Sequence, residues 1–196
     1  MATEKYQTLI PLFDELQGER VLVRPYQESD AQSLFEAVAE SREHLRPWLP
    51  FADAHQTIEE TKDWIIQGQA KWQLREYLFV GIFDQVTGHY VGGSSLHPRN
   101  WDGGHFEIGY WLRASAEGHG YMTEAVKLLT DFAFTHLQAN RVQIRCDVRN
   151  ERSAAVARRS GYVQEGLLRN LERTSQDEFR SMLLFSMIPE DRQTLS

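Results

Sequence analysis

Residues Glu117–Val126 read EGHGYMTEAV. Two glycines bracket a histidine, and a helical pattern begins at once. Met122, Ala125, Val126, Leu129, Phe132, Ala133 and His136 recur at spacings of three and four, which predicts a helix with one buried face. Just upstream, His105–Leu112 (HFEIGYWL) puts Phe106, Ile108, Tyr110 and Leu112 on one side of a strand, and His105, Glu107, Gly109 and Trp111 on the other. A strand, a glycine-rich turn and a helix N-terminus make an anion site. The first N–H groups of a helix lack partners, and the helix dipole adds partial positive charge there. Gly118 and Gly120 offer no Cβ, so a phosphate can approach the main chain. A plain tight turn is the simpler reading of the same glycines. The chain has no GxxxxGK[ST], and Thr123 stands where a dinucleotide fingerprint wants its third glycine.

Outward from this centre the chain reads as one domain, 1–196, with an N-terminal extension of about 18 residues and no repeat or linker. Glu19–Tyr26 is a strand by alternation. Ser29, with Gln32 three residues on, predicts a capping box for a first helix, and Thr57 with Glu60 predicts another, for a helix to about Arg75. Tyr77–Asp84 and His89–His97 read as a hairpin. Arg141–Val148 alternates as a strand; Asn150 caps a short helix that Gly161 stops; Tyr162–Arg169 and Phe179–Ile188 flank a polar turn at Thr174–Glu178. The expectation is an α/β (α+β) fold: a mixed, mostly antiparallel sheet of about seven strands covered by helices.

Composition bounds the function. The net charge of −7 argues against a broad nucleic-acid surface. Cys146 is the only cysteine, so no internal disulfide forms. There is no signal-peptide pattern and no long apolar run, so the expectation is a cytoplasmic protein with no membrane partner. His97, His105 and His119 have no ligand spacing, and no metal site is expected.

The run HFEIGYWLRASAEGHGYMTEAVKLLTDFAF, followed by NRVQIRCDVRNERSAAVARRSGYVQEG, resembles the GNAT superfamily of acyl-CoA-dependent N-acetyltransferases. More narrowly it is similar to the RimJ/RimL-type branch, which acetylates N-terminal amines of proteins, ribosomal ones among them. The branch's motifs occur in order across about Leu96–Arg169, and VLVRPYQESDA is similar to its first strand and helix. The resemblance implies the GNAT fold, with its sheet splayed at the centre, and acetyl-CoA as co-substrate. It implies that Trp111 and Leu112 lie at the splay beside the pantetheine arm. Glu117, Gly118, His119, Gly120, Tyr121, Met122 and Thr123 would form the pyrophosphate loop, and Asn150 and Ser153 would face the thioester. Glu117 replaces the family's usual Gln or Arg, and Met122 its usual small residue.

For catalysis, the resemblance offers Ser153 as proton donor to the thiolate, although Asn150 with Ser153 also reads as a helix cap. Glu107 and Glu172 are the base candidates, since the amine must lose a proton before it attacks. Solvated or ion-paired carboxylates are the simpler reading of both. Tyr110 could donate to the thiolate, as tyrosines do in other branches of the family, but it shares a face with Phe106 and Ile108 and core packing is the expectation, as for Cys146; the resemblance puts Leu45–Phe51 on the acceptor side. The expected reaction is direct acetyl transfer to a primary amine, foremost a protein N-terminus, by a monomer or homodimer. A small-molecule amine acceptor and a non-catalytic acyl-CoA sensor stay open beside it.

Overall fold

Alternating apolar side chains build a single eight-stranded sheet. Its strands are β1 (Leu16–Gln17), β2 (Val21–Pro25), β3 (Leu78–Asp84), β4 (Tyr90–Asn100), β5 (His105–Leu112), β6 (Arg141–Asp147), β7 (Val163–Arg173) and β8 (Phe179–Met187). This computed structural model describes residues 6–173 and 178–192, so most of the turn expected at 174–178 lies outside the described residues. The spatial order is β1-β2-β3-β4-β5-β6-β8-β7. Every neighbouring pair is antiparallel except β5 and β6. The strand beyond the expected seven is β1, two residues whose pattern is too short to read.

Helices cover both faces. These are α1 (Ala31–Leu45), α2 (Ile58–Leu74), α3 (Tyr121–Thr135) and α4 (Glu151–Arg159), with a short helical turn at Pro189–Arg192. On one face, Ala125, Val126, Leu129 and Ala133 of α3 and Ala154 and Ala157 of α4 bury against Phe106, Ile108, Val142, Ile144 and Phe185. On the other, Leu34, Ala37 and Val38 of α1 and Ile65 of α2 pack with Tyr26, Phe83 and Tyr90. Fully burying side chains of this size contributes roughly 1.5–3 kcal/mol each, so the two layers hold the sheet as one body.

The caps show which local signals won. Thr57 accepts from the Glu60 N–H at 3.1 Å, the expected first half of the box, while the Glu60 carboxylate accepts from the Gln56 N–H at 2.8 Å instead of closing on Thr57. The capping box expected at Ser29 and Gln32 does not form; Gln32 bonds Glu36 instead. A box forms just upstream, at Gln27 and Asp30: the Asp30 carboxylate accepts from the Gln27 N–H at 2.8 Å and from both ends of the Arg24 guanidinium at 2.7 Å. The N-terminal segment is tied down as well. Arg75, in the left-handed conformation that ends α2, donates to the Ile10 carbonyl, and Phe13 packs edge-on against Trp72 and Phe132.

Candidate active site

The parallel pair β5 and β6 meets only at His105–Arg141, Phe106–Val142 and Glu107–Gln143. Past Glu107 the two strands part, while β5 stays paired with β4 up to Leu112. This opens a wedge in the middle of the sheet. Register puts Tyr110 and Cys146 on the α3/α4 face of the wedge, and Glu107, Gln143 and Arg145 on the other. Trp111 faces the α1 side, packing against Phe51 and Tyr90, while Leu112 packs on the α3 side.

The loop Glu117–Gly120 follows β5 into α3. Gly118 and Gly120 have φ of 84° and 80°, the left-handed region in which a Cβ is strained. A Cβ added at Gly118 would meet nothing within 4 Å, so the loop's outer side is open. The first paired N–H of α3 is that of Glu124, which donates to the Gly120 carbonyl. Among the described residues, the N–H groups of Gly118, His119, Gly120, Tyr121, Met122 and Thr123 have no partner within the protein. A row of free donors at the positive end of a fifteen-residue helix fits a pyrophosphate.

The two departures in this loop have structural answers. The Glu117 carboxylate is taken up by Arg152, whose Nη1 lies 2.7 Å from both oxygens, and by His44 Nε2 at 3.0 Å. Met122 points down, buried in the core. Tyr121 donates to Asp84, whose carboxylate also caps the β3–β4 turn through the Val86 and Thr87 N–H groups. His119 stacks on Tyr121, and the Thr123 hydroxyl accepts from Arg159 at 3.4 Å.

Across the wedge, α4 starts at Asn150, whose side chain accepts from the Ser153 N–H at 3.0 Å; Asn150 is therefore a helix cap here. The Ser153 hydroxyl donates to Tyr110 Oη at 3.1 Å, and Tyr110 donates to the Ser153 carbonyl at 2.9 Å. Tyr110 packs on the core as expected, and its hydroxyl is joined to Ser153. Burial raises its pKa above the usual tyrosine value. Burial also pushes the Cys146 thiol up, which disfavours a nucleophilic thiolate.

The two carboxylates differ sharply. Glu107 is buried and accepts five hydrogen bonds, from Arg99 Nε and Nη2, Arg145 Nε and Nη2, and Gln143 Nε2, at 2.6–3.0 Å. Burial opposes its ionisation, but these donors outweigh burial and hold its pKa down at about 2. A carboxylate so saturated has no lone pair to offer a proton, which is the ion-paired reading of Glu107 and argues against it as the base. Glu172 is half-buried. It is bonded by Arg180 through one oxygen, and Arg145 Nη1 stands 3.8 Å from the other. Arg180 also donates to the Trp48 carbonyl at 3.0 Å, which brings the Leu45–Phe51 segment to this side. Arg145, Arg180 and Arg152 are the residues that sequence reading missed. Alternation along β6 placed Arg145 opposite Cys146, but its partners are distant in the chain.

Among the described residues no group of His, Cys, Asp and Glu is arranged to hold a metal ion, and no helix is long and apolar enough to cross a membrane.

Comparison with known proteins agrees with this geometry. The profile of the acetyltransferase (GNAT) domain matches residues 20–163. The Bacillus subtilis (strain 168) protein named "Putative ribosomal N-acetyltransferase YdaF" is 32% identical over 78% of this chain and 83% of its own length. The Escherichia coli (strain K12) ribosomal-protein-serine acetyltransferase is 29% identical over 74% and 80%. A solved structure of RimL, the ribosomal L7/L12 alpha-N-protein acetyltransferase, in complex with coenzyme A, superposes with a TM-score of 0.82 at 24% identity, covering 89% of this chain and 97% of that one; it shows the same fold. The wedge, the loop of free amides and the matched profile lead to one family: the chain belongs to the GNAT acetyltransferases and is an N-acetyltransferase with acetyl-CoA as its donor.

Proposed function

We propose that the acceptor is the N-terminal α-amino group of a protein, with ribosomal proteins as the substrate class suggested by the relatives' names. The observation that carries this reading is the placing of Glu172. It is a half-buried carboxylate on the sheet face opposite the α3/α4 donor elements, steadied by Arg180 and not saturated as Glu107 is.

Bound acetyl-CoA supplies an activated acetyl thioester. In this reading the Gly118–Thr123 amides hold its pyrophosphate, and the open edge of β5 from Ile108 to Leu112 lies beside the pantetheine arm. Glu172 takes the proton that the amine loses, directly or through a water. Ser153, whose O–H rests on Tyr110 Oη, turns to protonate the departing thiolate and regains a proton from solvent as Glu172 releases its own. Acid–base arithmetic favours an α-amine as the acceptor. Its pKa is about 7.7–8.0 against about 10.4 for lysine, so roughly a tenth is neutral at pH 7, against under a thousandth of lysine. One carboxylate base suffices for the easier amine.

The test offers one peptide with a free N-terminus and an internal lysine beside its N-terminally blocked twin, and mass spectrometry locates the acetyl group. Acetylation of the free peptide at its first residue, with the twin unmodified, is expected. Equal modification of both would overturn the acceptor assignment and leave the family assignment standing.

A further inference from the structure

We propose that Glu107 is a positioning residue for Glu172, acting through Arg145. This rests on the reading of Glu172 as the base.

Glu107 sits at the apex of the wedge, in the last residue pair that joins β5 to β6. Two guanidinium forks close on it, Arg99 from β4 and Arg145 from β6, and Gln143 adds a fifth bond. Bidentate forks of this kind fix direction as well as charge. Arg145 therefore has Nε and Nη2 committed to Glu107 and only Nη1 directed at Glu172, 3.8 Å away.

The backbone sets the face of Glu172, which pairs with Arg180, but not where its carboxylate ends. The β7–β8 register shifts between Leu168 and Glu172, and Asn170 within that bulge has φ of 50°. The bulge re-aims the strand before pairing resumes at Glu172, and the end of that long side chain is then held by its side-chain partners. Arg180 holds it from β8, and Arg145 borders it from β6. Arg145 is 22% exposed and needs a counter-ion. With Glu107 present, the fork supplies one. With Glu107 neutralised, Glu172 is the carboxylate left within reach, and Arg145 would close on it and occupy the lone pair that accepts the proton. Glu107 thus keeps one guanidinium from capturing the base.

A double-mutant cycle tests this, with kcat and KM measured for a free-N-terminus peptide and acetyl-CoA affinity measured separately. Glu172→Gln should lower kcat by about a hundred-fold or more. Glu107→Gln should lower kcat by about ten-fold, with acetyl-CoA affinity unchanged, and should cost nothing further in the Glu172→Gln background. Should Glu107→Gln fail to fold, Arg145→Lys breaks the same fork while keeping its charge, and the same non-additivity is expected. Losses that multiply in the double variant would overturn the positioning role alone. Full activity of Glu172→Gln would overturn the base assignment and this proposal with it.

Discussion

A single nitrogen of Arg152, Nη1, lies 2.7 Å from both carboxylate oxygens of Glu117, joining the start of α4 to the loop before α3. The pair sets the charge beside the free amides of Gly118–Thr123. Arg152→Ala would leave Glu117 with His44 as its remaining partner and return negative charge to a site built for an anion. Because Arg152 is 70% exposed, solvent screens the effect. Acetyl-CoA affinity should fall by about two- to five-fold at low salt and less at high salt. Adding Glu117→Gln to the same chain should restore it. Calorimetry on the two variants decides, and no change on Arg152→Ala would show that the Glu117 charge does not reach the ligand.

Gly120, at φ 80°, is the residue from which α3 starts. A β-branched side chain there is strained and stands among the free N–H groups. Gly120→Val should weaken acetyl-CoA binding by about ten-fold or more while the core, which this residue does not enter, keeps the chain folded. The expected record is a near-unchanged circular dichroism spectrum with loss of the calorimetric signal. Unchanged affinity in the folded variant would remove this loop as the pyrophosphate site.

Two histidines predict how stability follows pH. Burial lowers the pKa of His55 to about 4, with Arg42 adding to the effect and Glu60 opposing it. Burial lowers His97 to about 4 as well, opposed by Glu107 and supported by Arg99 and Arg145. Both folded values lie below the unfolded value of 6.5, so the unfolded chain takes up protons first as pH falls. Their share of stability is whole above 6.5 and is lost progressively down to about 4. Glu107, also depressed, extends the loss below its ordinary value of 4.5 toward 2. Urea denaturation between those pH values should show a positive slope of stability with pH, and His55→Gln or His97→Gln should flatten it. A slope unchanged in both variants would mean that neither imidazole is held neutral.

Local chemistry made most of the fold legible. Period-two alternation marked β5 and β6 to within a residue, the Thr57–Glu60 box marked the start of α2, and the spacing from Met122 to His136 marked α3. What failed was decided by tertiary partners. The box expected at Ser29 and Gln32 forms at Gln27 and Asp30, where Arg24 and the Gln27 N–H meet on the same carboxylate. β7 was expected to end near Arg169, and it continues to Arg173 because its bulge lets pairing with β8 resume at Glu172. In the site, the glycine turn announced itself because an anion loop needs consecutive residues. The state of Glu107 did not, because its donors come from two other strands, β4 and β6, and no local pattern records which arginines will face it.

The two sides of the wedge are made of different material. The donor side is mainly peptide N–H and strand edge, which nearly every residue type provides; Glu117 and Met122 can therefore stand in the loop without altering what it presents. On the proposed reading the acceptor side is side chains: Glu172, Arg145, Arg180 and the Leu45–Phe51 segment that Arg180 tethers. Substitution on the first side is mostly silent where the two glycines and the partner of Glu117 are kept, and on the second it is mostly consequential. A lineage of such chains can thus keep one donor through wide sequence drift while its acceptor is exchanged by a few changes at the ends of α1 and β7.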